Sequence, residues 1–549
     1  MEINGGQRTK MEVREWRAVY ERALQLWQGK AYDHAAACLQ QYWQKTGIST
    51  LPGRLLMGYV LRDSGHYVSE CDCLRGILRD FHAADPKSDG QYLADTYSLL
   101  GGAQRMLGKN AEAVHMFLRA AALDCEPIGR LKEYSNAIFA ANAVEGYTAA
   151  DMQKLYGDYR TCLSEAMAAA GMRPYGTAVW KHDRIRVGYM SADLHRHPVA
   201  SFVKSLLTGY CREKFRVYVY DTGTCHDDIT EALRTGGAMW RQMKPLETLE
   251  DMQVVAETVR SDEIDILVDL SGHTKGSALP VFAWRAAPVQ ISGIGYFNST
   301  GLSETTGFLS DVYCAPQERS PYFVEPLLRL PHTHFCYASY QEFPAPGAPP
   351  RLTRGYVTFG CFNHFAKVTD EMLGAWRRIL QVLPTAKLVL KHRLFDSREG
   401  LSFTRERLER LGMPLNRVEF RGFSQDYLRE YRDIDIALDT SPYQGGATTC
   451  EALFMGVPVV SLVGRCHGAR FGYSLLANIG LPQLAADTPA HYVRLAVDLA
   501  RDKELLCALH KELRSMMKQS PLMDCAEYMQ EIEHLYAVLF ARRHAAVVP

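Results

Sequence analysis

The sequence predicts a multidomain protein in which N-terminal α-helical repeats precede a module of two Rossmann-like α/β lobes. Three observations carry that expectation. From about Met11 to Cys162 the apolar spacing is helical almost throughout. From Arg184 onward, short runs rich in β-branched residues alternate with helical stretches, and they do so in two sets. Between the sets lies QEFPAPGAPPRLTRG (Gln341 to Gly355), whose prolines and glycines continue neither a helix nor a strand. The expected domains are therefore 1–135 for the repeats, 136–183 for a helical linker, 184–345 for the first lobe and 346–549 for the second lobe with its terminal helices.

Size and composition agree with this division. A chain of 549 residues exceeds what one hydrophobic core serves, and 47% hydrophobic against 23% charged residues describes folded domains rather than a disordered or fibrous chain. Lys plus Arg (62) balances Asp plus Glu (62), so the bulk charge calls for neither nucleic acid nor an anionic membrane as partner. The opening MEINGGQRTKMEVREW has no apolar signal core, and no later run is long enough to span a bilayer, so a cytoplasmic location is expected. The 14 cysteines are scattered without zinc-ligand spacing and read as reduced thiols.

Within the helical region, the segment ADTYSLLGGAQRMLGKNAEAVHMFLRAAALD places Tyr97, Leu100, Gly101, Ala113, Phe117 and Ala120 at the spacings of a tetratricopeptide repeat. Small residues there let two helices approach, and large ones fill the gap. Weaker copies run from Gly29 to Leu39 and from Gly65 to Leu78, with an insertion around DPKSDG. Three helix pairs meet the minimum for a stacked solenoid, while an ordinary helical bundle remains the alternative. Either arrangement is a platform for protein partners.

The first lobe is read from the runs IRVGYM, FRVYVYD, IDILVDL and VQISGIGY, the second from YVTFGCF, AKLVLKH, RVEFRGF, DIALDT and PVVSLVG. Strand and helix in alternation imply parallel sheets covered on both faces, with a ligand cleft near the carboxyl ends of the strands. Neither GxGxxG nor GxxxxGK[ST] occurs at a strand-to-helix junction, and GxSxG is missing. Dinucleotide oxidoreductase, P-loop NTPase and α/β-hydrolase readings thus lose their signatures.

The strongest local signal is LDTSPYQGGATTCEALFMGVPVVSLVG, Leu438 to Gly464. A strand ends at Asp439, a loop carrying Gly445 and Gly446 follows, and a helix opens at Ala447, Thr448 and Thr449. Free N–H groups at a helix start suit a diphosphate, and Glu451 in the first turn suits ribose hydroxyls. The alternative is a capped helix whose dipole favours Glu451. GCFNHFAKVTDEML sets Asn363, His364 and Lys367 past another strand, where Lys367 would meet the charge of a departing nucleotide. LVLKHRLF delivers Lys391 and His392 at a third strand end. In the first lobe YMSADLHRHPVASF offers His195 and His197 before Pro198, a residue suited to a helix start. VDLSGHTKG adds Asp269, His273, Thr274 and Lys275, on the acceptor or sugar side. Asp433-Ile-Asp435 has the form of a metal-binding DxD but directly precedes the apolar run IALD and reads as strand entry, so no metal ligands are assigned.

GYMSADLHRHP, DILVDLSGHTKG, RAAPVQISGIGY, FNHFAK, LDTSPYQGGATTCEALFMGVPVVSL and the late Arg470-to-Leu476 string, below helical repeats, together resemble the family of O-linked N-acetylglucosamine transferases and SPINDLY-like proteins. This is glycosyltransferase family 41, which also contains bacterial protein N-glucosyltransferases, and the resemblance runs from about Asn136 to Tyr536. It implies a metal-independent GT-B fold that displaces a nucleoside diphosphate with inversion. It also implies roles for His197 (histidine before proline), Lys367 (diphosphate lysine), Thr448 (helix-start threonine) and Glu451 (ribose carboxylate). Where animal members have histidine and two threonines, this sequence has Gly446, Ala447 and Thr448; Ser424 and Tyr427 replace a lysine and histidine near the base, and Glu451 replaces an aspartate.

The expected activity is transfer of GlcNAc from UDP-GlcNAc to Ser or Thr of protein acceptors held by the helical repeats, with the nucleotide sugar as donor substrate and no further cofactor. N-glucosyl transfer to Asn and O-fucosyl transfer from GDP-fucose, the donor of plant SPINDLY-like members, are the alternatives on this scaffold. An inactive repeat-based binding protein and a nucleotide-sugar epimerase are the alternatives from other classes. Self-association is left open.

Overall fold

The computed structural model describes residues 5–80, 86–176, 178–317 and 319–545. Eight helices come first: α1 (Gly5–Gln28), α2 (Tyr32–Thr46), α3 (Leu51–Asp63), α4 (Tyr67–Asp80), α5 (Pro86–Met106), α6 (Asn110–Leu123), α7 (Pro127–Ala141) and α8 (Ala149–Ala169). Each packs on the next, and the pairing of α5 with α6 is the most extensive. The repeat spacing read from the sequence is the reason. A Cβ on Gly101 would lie 2.8 Å from the Phe117 ring, so only glycine lets the two helices come this close. The insertion around DPKSDG is helical from Pro86 on, since Pro86 to Gly90 open the 21-residue helix α5; Asp85 lies outside the described residues.

The first sheet contains β1 (Ile185–Ser191), β2 (Phe215–Asp221), β3 (Met239–Gln242), β4 (Ile266–Asp269), β5 (Val289–Ser292), β6 (Gly307–Asp311) and β7 (Leu327–Leu330). Their order is β3-β2-β1-β4-β5-β6-β7, and every pair is parallel. The second sheet contains β8 (Thr358–Cys361), β9 (Lys387–Lys391), β10 (Val418–Arg421), β11 (Ile436–Leu438), β12 (Val459–Leu462) and β13 (Ala485–Ala486), in the order β10-β9-β8-β11-β12-β13, again all parallel. Residues of β1 and β4 in the first sheet and β8 and β12 in the second are buried on both faces, as parallel strands under crossover helices must be.

In each sheet the strand order reverses once, between β1 and β4 and between β8 and β11. Crevices open at such switch points, outside the carboxyl ends of the strands. The loops leaving β1, β4, β8 and β11 carry the His195–His197, His273–Thr274, Asn363–Lys367 and Asp439–Thr449 segments.

The helices and the two lobes share one continuous apolar core, which runs from Leu51 in α3 through both sheets to Leu539. The chain closes on itself at its end. The helix Cys525–Ala545, grouped with the second lobe when read from sequence, packs across the first: Tyr189 and Tyr536 hydroxyls lie 3.2 Å apart and Glu533 accepts the Cys211 N–H at 2.6 Å. No helix among the described residues is long and apolar enough to cross a membrane.

Candidate active site between the lobes

The loop from Asp439 to Gly446 is built on one buried carboxylate. Asp439 Oδ1 accepts from Asn363 Nδ2 (3.1 Å), from its neighbour Thr440 N–H (2.9 Å) and from Gly445 N–H (2.9 Å), while Oδ2 accepts from Ser461 Oγ at 2.8 Å. Burial raises the Asp439 pKa, opposed by those donors and by the Lys367 charge. The sequence does not announce this role, because there Asp439 reads as the last residue of a strand. A Cβ at Gly445 would fall 2.7 Å from both Asn363 Oδ1 and Thr449 Oγ1, so the loop demands glycine there.

The helix Ala447–Phe454 then starts at Gly446 with no side chain capping it. Its first-turn N–H groups are left to an external acceptor. Two details differ from the expectation of a wholly free anion cradle. The Gly445 N–H is already used by Asp439, and the buried Thr449 hydroxyl turns back onto the Gly445 carbonyl at 3.1 Å. Ala447 and Thr448 remain at the mouth, half-buried.

Lys367 reaches this mouth from the other side. It ends the short turn Phe365–Lys367 beyond β8, donates from Nζ to the Gln444 carbonyl at 3.1 Å, and lies 3.5 Å from the centre of the Tyr443 ring. Burial lowers its pKa to about 8, with Asp439 pulling the other way. Tyr443 stacks at 4.0 Å on Phe297 of the first lobe, and Phe139 of α7 packs edge-on against both rings. The Phe365–Lys367 turn also touches the solenoid, since Asn110 of α6 donates to the Ala366 carbonyl at 2.9 Å. Lys367 thus sits where helices, first lobe and second lobe meet.

Glu451 follows in the same helix, half-buried. Burial raises its carboxyl to about 7, and the Tyr427 hydroxyl, donating to Oε1 at 2.7 Å, opposes that shift. The same hydroxyl lies 3.2 Å from Gln341 Oε1 in the segment joining the lobes. His364 accepts the Ala366 N–H at Nδ1 (3.3 Å) and packs 4.4 Å from the His392 ring; burial keeps both imidazoles neutral, His392 down to about 4.

Other candidates are placed elsewhere. Lys391 is not a free cation, because Nζ is bound by Glu430 and by the Gly422 carbonyl, each at 2.7 Å. It fastens β9 to the segment after β10. His273 does not face the cleft: it is buried, Nδ1 meets Ser135 Oγ of α7 at 3.0 Å and Nε2 meets the Thr300 carbonyl at 2.9 Å, and burial pushes its pKa down to about 4. It joins α7 to the first lobe. Thr274 donates to the Ser271 carbonyl at 2.8 Å in the same turn, and Asp269 holds that turn through Ser271 N–H (3.1 Å), Gly272 N–H (2.8 Å) and Ser292 Oγ (2.7 Å).

His195 and His197 stand half-buried past β1, rings 5.7 Å apart. Burial lowers the His197 pKa, Asp193 at 3.9 Å opposing, so a neutral imidazole is presented. The following helix begins at Ala200, two residues later than Pro198 suggested. Asp433 pairs with Arg354 and Arg421, and both Asp435 oxygens accept backbone N–H groups, from Arg351 (2.9 Å) and Thr358 (2.7 Å). The Asp433-Ile-Asp435 string is spent on strand entry. Among the described residues, the side-chain groupings able to hold a metal are Cys314/His334/His467 and His332/Glu527/Glu531, neither of which includes a residue of this cleft.

Comparison with known proteins supplies the family. The model of Glycosyl transferase family 41 matches residues 162–345 and 350–532. A probable UDP-N-acetylglucosamine–peptide N-acetylglucosaminyltransferase SPINDLY of Petunia hybrida is 36% identical over 374 residues, covering 66% of this chain and 39% of its own length. The Arabidopsis thaliana protein of the same name is 37% identical over 375 residues, 66% of this chain and 40% of that one. The chain therefore spans about two fifths of the length of these curated relatives. An O-GlcNAc transferase of Thermobaculum terrenum, solved as a mutant, superposes over 100% of both chains with a TM-score of 0.83 and 27% identity. On the match of its two lobes, this chain belongs to glycosyl transferase family 41.

Proposed function

We propose that the chain transfers GlcNAc from UDP-GlcNAc to Ser or Thr hydroxyls of protein acceptors, by one displacement with inversion and with no metal at the diphosphate. The observation that carries this reading is Lys367, held over Tyr443 beside the uncapped start of the helix Ala447–Phe454. An ammonium and a helix start provide the positive field that a diphosphate leaving group needs.

In this mechanism the acceptor oxygen attacks the anomeric carbon as the bond to the diphosphate oxygen breaks. Lys367 and the N–H groups of Ala447 and Thr448 take up the charge that develops on the diphosphate. Glu451 holds the ribose hydroxyls once the donor displaces the Tyr427 contact. The acceptor proton leaves on the opposite face, where neutral His197 is a suitable base. The names of the relatives support GlcNAc and a peptide acceptor, and α1–α8 supply a surface for that acceptor.

A second reading, O-fucosyl transfer from GDP-fucose, is favoured by Tyr427 and Ser424 at the base side, which differ from the animal pattern. One experiment separates the readings: purified protein is incubated with a panel of nucleotide sugars plus lysate proteins, and intact masses are recorded. Gain of an N-acetylhexosamine with UDP-GlcNAc alone supports the first reading, and gain of a deoxyhexose the second. Donor consumption without any acceptor adduct would indicate epimerase-like chemistry and overturn both.

A further inference from the structure

Away from the donor cleft, three side chains of metal-ligand type converge inside the protein. Cys314 lies in the turn after β6, His334 in the segment after β7, and His467 in the turn after β12 of the other lobe. One ligand atom of each lies within 4.8 Å of the other two, and all three residues are buried, with exposures of 3%, 1% and 3%. Nothing in their sequence spacing announces them, because neighbouring strand ends supply two and the second lobe supplies the third.

We propose that Cys314, His334 and His467 form a buried divalent-metal site of the zinc class, three protein ligands with the fourth tetrahedral position left to a small ligand such as water, that fastens the two lobes together. The donor set suits that class: a thiolate and two imidazoles are borderline-soft ligands. The surroundings suit it too. His334 Nδ1 is engaged by the Asp311 carboxylate, the carboxylate–histidine pattern that fixes the tautomer and turns the other nitrogen to a metal. Asp311 is itself held by N–H groups of Tyr313 (2.9 Å), Cys314 (2.7 Å) and His334 (3.1 Å) and by Ser474 Oγ at 2.8 Å. His467 Nε2 is met by Ser310 Oγ at 2.8 Å, while its buried Nδ1 has no hydrogen-bond partner.

Charge and size agree. A divalent cation, one thiolate and the Asp311 carboxylate sum to neutrality, which a buried site requires. Zinc bonds of about 2.0–2.3 Å place tetrahedral ligands about 3.3–3.8 Å apart, so ligand atoms within 4.8 Å of one another need to move together by about 1.5 Å at most. Phe308, Phe323 and Phe471 pack around the His467 imidazole, with ring centres 5.2, 5.9 and 5.4 Å away.

Such a site would steady the cleft without taking part in transfer. The Gly468 carbonyl beside His467 accepts the Gln444 N–H at 3.2 Å, and the Gln444 carbonyl is the one that Lys367 binds. The metal site is independent of which sugar or acceptor the cleft takes.

The full chain, without a histidine tag, is purified from cells grown with zinc and from cells grown with Co²⁺ as the supplied metal. We expect about one metal per chain and, in the cobalt protein, an intense thiolate-to-metal absorption with tetrahedral ligand-field bands. Cys314→Ser should remove the thiolate band, His467→Gln should weaken metal retention at least tenfold, and Cys525→Ser should change neither. The grouping His332, Glu527 and Glu531 has no sulfur, so cobalt bound there would lack the thiolate band. If the wild-type chain carries no zinc and its cobalt form shows no thiolate band, the proposal is overturned; this readout stands even if a variant fails to fold. A thiolate band that persists in folded Cys314→Ser would overturn it as well.

Discussion

Glu451 and Lys367 are displaced in opposite directions by the same burial, one carboxyl raised to about 7 and one ammonium lowered to about 8. Donor binding as proposed needs Glu451 ionised and Lys367 protonated, so the competent free enzyme accumulates above the first pKa and is lost above the second. The prediction is a narrow bell in kcat/KM, with an acid limb near 7 and an alkaline limb near 8, measured by initial rates against pH. Tyr427→Phe removes a hydrogen bond that favours the charged carboxylate, and it should therefore move the acid limb upward. Glu451→Gln should flatten that limb and raise the donor KM about tenfold to a hundredfold, the worth of one charge-assisted hydrogen bond. Because the cleft's charges come from Lys367 and a helix start, brief EDTA treatment should leave the rate unchanged, and added Mg²⁺ or Mn²⁺ should not stimulate it. Recovery of a chelated enzyme by either ion would reject that arrangement.

At the level of elements, the Asp439–Gly446 loop and the helix it launches form the seat proposed for the diphosphate. Gly445→Ala would drive a methyl group to 2.7 Å from Asn363 and Thr449. The expected result is a loss of about 1–3 kcal/mol from overpacking, seen as a lower Tm, with a larger rise in donor KM than in acceptor KM. The helix start, with Gly446, Thr448 and Glu451, is legible in the sequence because glycines, threonines and an acid follow a strand in one continuous string. So are most strands whose runs are β-branched. The strands β3, β6, β7 and β13 are not, since MWRQ, GFLSD, LLRL and the two alanines of β13 lack a distinctive period and are placed by their neighbours in the sheet. His273 and Lys391 show the opposite failure. Each stands at a strand end, as a site residue would, and only the partners Ser135, Thr300 and Glu430 from distant segments reveal a structural role. Asp439 is hidden in the sequence because its four partners come from three separate stretches of the chain.

Over the whole molecule, the helices are part of the body that holds the cleft. Helices α5 to α8 share the main apolar core with both lobes, and Asn110 of α6 holds the Lys367 turn. Asn110→Ala should leave the Ala366 carbonyl buried without its donor, costing about 1–3 kcal/mol of stability and slowing transfer though it touches no substrate. By contrast, α1, α2 and a portion of α3 form a separate small core of Ala23, Ala35, Leu39, Leu56, Met57 and Val60. A chain beginning near Thr50 should keep nucleotide affinity and fold while losing transfer to intact protein acceptors; equal transfer by both forms would place acceptor binding elsewhere.

The role of Lys367 is tested most directly by steady-state transfer of Lys367→Ala beside wild type, with thermal melting to confirm that both are folded. Charge builds on the leaving diphosphate as the glycosidic bond breaks, so an ammonium at that oxygen stabilises the transition state more than the bound donor. The expected result is a fall in kcat of about a hundredfold or more with a smaller change in donor KM, partial rescue by Lys367→Arg, and a lesser rate effect from Lys391→Ala. A folded Lys367→Ala protein that transfers sugar at the wild-type rate would contradict it, and would remove the diphosphate from the cleft between Lys367 and the helix Ala447–Phe454.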